Sequence, residues 1–195
     1  MSNHYNYSFE ELTRLKKKDL DRIMEEGAVP EISTAVGYDF KGWNLNPITK
    51  LSKTLKFKKG FFGQPGLDHA WGYNVPVQQN KFDEPWIAEP NEENPRRYFF
   101  YKVLRAFSEG NYKHPRSMII DYRKWDGYFF LNPAKYVVDY MIHPDPDNTD
   151  LMIGKSYLKT FLGEFFLGYF ILERQKKSNY KKTTPFLKDS VSEMI

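Results

Sequence analysis

The sequence predicts a mainly β fold: an antiparallel up-and-down barrel of about eight strands, with an N-terminal helix and a short helix after the first strand. Three observations carry this. Residues 97–174 break into five segments of strand length separated by turn signals. Aromatic residues make up 17% of the chain, as suits pleated, half-buried surfaces. Helical periodicity is confined to two stretches, and many short strands with few helices argue for a barrel or sandwich. A helix placed after the first strand favours a barrel with a covered mouth.

The lead-in, residues 8–26, reads as helical. Ser8-Phe9-Glu10-Glu11 is a capping box, in which Ser8 accepts from the backbone three residues on and Glu11 reaches back. Phe9, Leu12 and Leu15 share one face, and Leu20, Ile23 and Met24 another. The register slips across Lys16-Lys17-Lys18, which predicts two short helices with Asp19 capping the second. Gly27 suits the residue after the last turn, with Pro30 beyond it.

Residues 35–43 alternate in part and are aromatic, as a first strand would be. Asn46 then offers a cap and Pro47 a first helical position. Ile48, Leu51 and Leu55 fall on one face, predicting a short amphipathic helix. Residues 56–62 read as the second strand. Residues 63–95 carry five prolines and read as loop, with a strand surviving around 71–77; a long structured loop of this kind suggests a lid. Residues 97–107, 117–124, 135–143, 151–158 and 164–174 are the remaining strands. The turns between them are marked by Glu109-Gly110-Asn111, Asp126-Gly127, Asn132-Pro133, residues 144–148 and Gly163.

These boundaries predict one barrel domain, 1–174, followed by a disordered tail, 175–195. The tail holds five lysines against Asp189 and Glu193, which leaves the first 174 residues at a net charge of +1 out of the total of +4. A nearly neutral body argues against nucleic acid as a partner. The tail suggests peripheral membrane contact. With no cysteine, no signal-like N-terminus and no apolar run long enough to span a bilayer, a cytoplasmic location is expected. The sequence does not decide the oligomeric state.

No catalytic or metal signature is present. The loop from His143 to Asp150 fails as a calcium loop: counted from Asp145, position six is Asp150 and position twelve is Ser156, where glycine and glutamate are needed. No paired-histidine spacing occurs, so neither metal nor cofactor is expected. The polar residues within the strands are the remaining candidates. Arg105 shares a face with Tyr101 and Val103, Asp121 lies between Ile120 and Tyr122, and Asp139 lies between Val138 and Tyr140 with His143 on its own face. Burying an unpaired charge is costly. If these side chains point into one barrel, they pair into a polar floor beneath an aromatic cavity. If they point outward, they are cross-strand charge pairs in solvent.

Several stretches resemble the motif succession of a group of bacterial lipocalin-like (calycin-type) barrels over most of residues 20–174. They are Tyr38-Asp39-Phe40-Lys41-Gly42, Lys59-Gly60-Phe61-Phe62, Ile120-Asp121-Tyr122, Val138-Asp139-Tyr140 and Gly168-Tyr169-Phe170-Ile171-Leu172-Glu173. Tyr38 stands where the group's Gly-x-Trp-x-Gly step begins with glycine, and Phe40 replaces its tryptophan. The resemblance implies a closed antiparallel barrel with an interior cavity and carries over no catalytic residue.

The leading expectation is a binder of a small hydrophobic molecule or lipid, with Trp43, Tyr101, Tyr122 and Tyr140 as walls and Arg105, Asp121 and Asp139 as the polar anchor. The first rival is a cofactor-free isomerase or hydrolase drawing on Asp121, Asp139 or His143. The second is an interaction module without a ligand, using the tail and the proline-rich loop.

Overall fold

The computed structural model describes residues 6–64, 66–106, 112–125 and 133–182. The turn signals at Glu109-Gly110-Asn111, Asp126-Gly127 and Asn132 lie outside the described residues, as does the tail from residue 183. Eight strands form one closed barrel: β1 (Tyr38–Asn44), β2 (Lys56–Phe62), β3 (Ala70–Pro76), β4 (Tyr98–Arg105), β5 (Met118–Asp121), β6 (Val137–Ile142), β7 (Leu151–Thr160) and β8 (Gly163–Lys177). Each pairs antiparallel with the next, and β8 closes on β1 through pairs such as Gly42–Leu172. Closure leaves no unpaired edge. Because the strands alternate in direction, the β1–β2, β3–β4, β5–β6 and β7–β8 connections all lie at one end, the mouth.

The period of two sorts the side chains. Phe40, Phe61, Tyr101, Val103, Met118, Ile120, Met141, Met152 and Leu172 fill the interior together with Ile32 and Ala35. The last two belong to α3 (Ile32–Ala35), a single helical turn that plugs the end opposite the mouth. The sequence reading assigned no helix there, since four residues are too few for a periodicity. Three inward glycines carry aromatic rings of the neighbouring strand: Phe57 lies over Gly42, Tyr101 over Gly72 and Phe170 over Gly154, where a Cβ would collide with the ring.

The lead-in forms α1 (Phe9–Arg14) and α2 (Lys17–Glu26). The Ser8–Glu11 capping box is present in full. Asp19 is not the cap of α2 but lies in its first turn, with Lys16 at the cap and no side-chain capping bond. Phe9, Leu12, Leu20 and Ile23 bury against the outer surface of the barrel with Ile119, Val138, Ile153 and Ile171. Asp21 secures that docking by accepting from Lys155 at 2.6 Å and from the Tyr169 hydroxyl. Gly27 does not use a left-handed cap. Its backbone is extended, and glycine is needed because a Cβ would meet Ile142 and the His143 and Ile23 carbonyls.

After β1 the chain forms α4 (Pro47–Leu51) at the mouth. It ends too early to include Leu55, and Leu51 points into solvent, contrary to the expected apolar face. The proline-rich connection is ordered: Trp86 packs beside Phe9 and donates to the Gly42 carbonyl at 3.0 Å. Its two ends frame the mouth, while its middle lies on the barrel's flank. Residues 175–182, expected to belong to a disordered tail, are part of the fold. β8 runs to Lys177, the Ser178 N–H bonds the Gly37 carbonyl at 2.8 Å, and Tyr180 packs on Phe62 and Tyr73. Among the described residues no helix is long and apolar enough to cross a membrane.

Candidate functional site

Beneath the mouth the interior is not filled. A cavity of about 750 Å3 opens there, walled by Phe57, Phe170, Leu158, Leu167 and Val77, with Asn46 and Thr49 of the α4 region at its rim. Its floor is polar. Lys59, Asn74, Tyr122, Asp139 and Ser156 come from β2, β3, the turn after β5, β6 and β7, and all line the cavity.

Sequence and register explain the convergence. On β2 the inward set is Phe57, Lys59 and Phe61, so an alternation that buries two phenylalanines carries one lysine with them. On β6 the inward set is Val137, Asp139 and Met141, and Asp139 pairs in register with Ser156 of β7. The Lys59 ammonium lies 3.3 Å from the Asp139 carboxylate, and both are buried. It also donates to the Asn74 Oδ1 at 3.1 Å and to the Tyr122 hydroxyl. Ser156 donates to Asp139 at 2.7 Å. The Asn74 amide donates to the Tyr122 hydroxyl and the Phe99 carbonyl, each at 3.1 Å. The Tyr101 and Tyr122 rings lie within about 5 Å of the ammonium, a cation–π setting that helps hold the charge away from water.

Burial drives the two ionisable groups toward each other. It raises the Asp139 pKa against the opposing pull of Lys59, Ser156 and Tyr122. It lowers that of Lys59 against the pull of Asp139. Each partner opposes the other's desolvation, and burial remains the larger influence on both.

Hydrogen-bond capacity then defines what the floor can accept. An ammonium has three protons, and those of Lys59 go to Asn74, Tyr122 and Asp139. What remains open is acceptor capacity on the Ser156 hydroxyl, the Asn74 carbonyl and the Asp139 carboxylate. The floor is a net-neutral surface that receives a donor.

The expected site residues separate. Asp139 and Tyr122 line the cavity. Tyr101 faces inward but lies beneath the floor, with its hydroxyl on the Gly60 and Tyr73 carbonyls at 3.1 and 3.3 Å. Tyr140 does not line the cavity: it follows Asp139 on the strand and therefore points outward, against Tyr157 and His114. Asp121 precedes Tyr122 and also points outward, where Arg123 forks onto it at 2.8 and 2.6 Å and the Tyr112 hydroxyl donates at 3.0 Å. Trp43 is on the outer face, its ring 4.8 Å from that of Phe82. Arg105 has the inward parity of Tyr101 and Val103 but sits at the plugged end, partly exposed and paired with Glu31. His143 is at that end as well, its Nδ1 bonded to the Leu151 carbonyl at 2.8 Å, its Nε2 buried without a partner and its pKa lowered by burial.

Lys59, Asn74 and Ser156 were not anticipated. For Lys59 the signal was legible: a lysine flanked at ±2 by phenylalanines on a strand. For Asn74 and Ser156 there was none, since a strand polar residue faces solvent by default. Among the described residues no three histidine, aspartate or glutamate side chains converge to hold a metal ion. No family model, no curated protein and no solved structure matches this chain.

Proposed function

We propose that the barrel binds a small amphipathic molecule, its apolar body in the cavity and a neutral hydrogen-bond donor, such as an alcohol or an N–H, on the floor. The carrying observation is a buried, net-neutral polar cluster whose open valences are acceptors, beneath an apolar-walled cavity of about 750 Å3. That volume falls within the range of about 300–1,000 Å3 usual for small-molecule sites. A carboxylate is disfavoured because the Lys59 protons are committed and Asp139 repels it. Kinship with lipocalin-like barrels belongs to the same proposal, supported by the up-and-down closure and the short helix after β1.

A cofactor-free enzyme with Asp139 as base is the second reading, favoured by the upward shift of its pKa. The contact with Lys59 and the bond from Ser156 weigh against it, since a base so engaged is a weak one.

The test is displacement of an environment-sensitive apolar fluorophore by matched long-chain alcohols, acids and alkanes. The alcohol should bind most tightly, and Ser156→Ala should narrow its advantage over the alkane. Leu167→Trp, which fills the cavity, should abolish binding by all three. An acid that outcompetes the alcohol, or a Leu167→Trp protein that binds normally, would remove this reading.

A further inference from the structure

The tip of the β7–β8 hairpin is built from unusual turn residues. Phe161 and Leu162 occupy its two central positions, between the paired Thr160 and Gly163. Asn, Asp and Gly are the usual residues there. Phe161 is 96% exposed and Leu162 73%, and Phe165 and Phe166 below them are exposed too. At the same end of the barrel Leu51, the last residue of α4, is 87% exposed. Asn46, just before α4, lies against Gly168 of β8, so helix and hairpin share one edge of the mouth. That edge is basic: residues 45–55 carry the exposed Lys50 and Lys53 and no acidic residue, while Lys159 on the hairpin faces Glu164 at 3.4 Å.

Large apolar side chains held in water beside lysines suit an anionic lipid surface, whose acyl boundary takes phenylalanine and leucine and whose head groups take lysine. A two-residue turn needs neither Phe161 nor Leu162. The cavity reaches the same edge, because Leu158 and Leu167, on the strands that lead into the hairpin, line it. We propose that the β7–β8 tip and the end of α4 dock the barrel, mouth toward the lipid, on an anionic bilayer. A second copy of the chain would also cover an apolar tip but would leave the lysines unused.

The test is co-sedimentation of the full, ligand-free chain with vesicles of phosphatidylcholine containing about 30% phosphatidylserine. Phe161→Ser/Leu162→Ser should weaken binding at least about tenfold, Lys50→Glu/Lys53→Glu should weaken it severalfold, and pure phosphatidylcholine should bind poorly. All four side chains are exposed, so unchanged thermal unfolding certifies the variants. Wild-type chain that stays in the supernatant overturns the proposal. So does a tip variant that binds like the wild type, as it would were the lysine-rich tail the anchor. So does a dimer in sedimentation equilibrium that the tip substitutions dissolve while vesicles bind neither form. Vesicle binding is read without ligand and alcohol binding without vesicles, so either proposal can fail alone.

Discussion

Lys59→Met removes the ammonium from the cavity floor and leaves Asp139 buried, with Ser156 and Tyr122 as its remaining donors. Unit charges 3.3 Å apart attract by about 5 kcal/mol at an effective dielectric constant of about 20. Both side chains are 3% exposed, so solvent screens little of this. Desolvation opposes it, and breaking a buried pair from one side costs about 3–5 kcal/mol; that is the loss expected for Lys59→Met near neutral pH. The sign of its pH dependence follows from Asp139, whose pKa is already raised by burial and rises further without the ammonium. A carboxyl with a raised folded-state pKa contributes stability below its unfolded value and loses it as pH climbs through the folded value. The variant is therefore least impaired in mild acid and most impaired in alkali. In Lys59→Met/Asp139→Asn both charges are gone and the Asn can still accept from Ser156, so most of the loss should return. Urea unfolding of wild type, single and double variants at about pH 5 and about pH 8 reads all of this. A single variant that loses under about 1 kcal/mol without pH dependence would show that water reaches the pair. A double variant as unstable as the single would show that the unpaired charge is not the cause.

Asp21→Asn should cost about 1–2 kcal/mol in denaturant unfolding, because Asp21 ties α2 to β7 and β8 through Lys155 and Tyr169. Burial works against ionisation of Asp21, but bonds from Lys155, Lys17 and Tyr169 hold its pKa well below the usual carboxylate range. Its contribution is thus present above the unfolded value and lost as pH falls, and Asp21→Asn should flatten the acid limb of the stability profile. Gly154→Ala should lower stability by about 1–3 kcal/mol and weaken ligand binding as well, since the new methyl displaces the Phe170 ring that walls the cavity. Thermal unfolding and fluorophore binding check the two halves.

How the architecture and the site were encoded differs from residue to residue. The capping box at Ser8, the alternation of β2 and the turn residues between the later strands act over a few positions, and short-range chemistry of that kind is visible in a linear string. The sequence also singled out Asp139 and Tyr122, because a carboxylate or a phenol among apolar neighbours is anomalous wherever it lies. It mistook their neighbours. Asp121 with Tyr122, and Asp139 with Tyr140, are consecutive on their strands, and a period of two sends consecutive side chains to opposite faces. In the folded barrel Val138, Tyr140 and Ile142 belong to the outer cluster that also holds the apolar residues of α1 and α2, which leaves Asp139 on the inner face.

By itself, then, the sequence determined the class of fold, the order of its elements and the presence of aromatic material for a core. Only tertiary structure decided which parity faces in. It also decided that Arg105 and His143 lie at the plugged end, and that Lys59, Asn74 and Ser156 meet Asp139 at the floor of a cavity. The physical reason is range. Propensity and alternation are settled between residues a few positions apart, whereas the Lys59–Asp139 pair joins strands 80 residues distant and exists only once the barrel has closed around it.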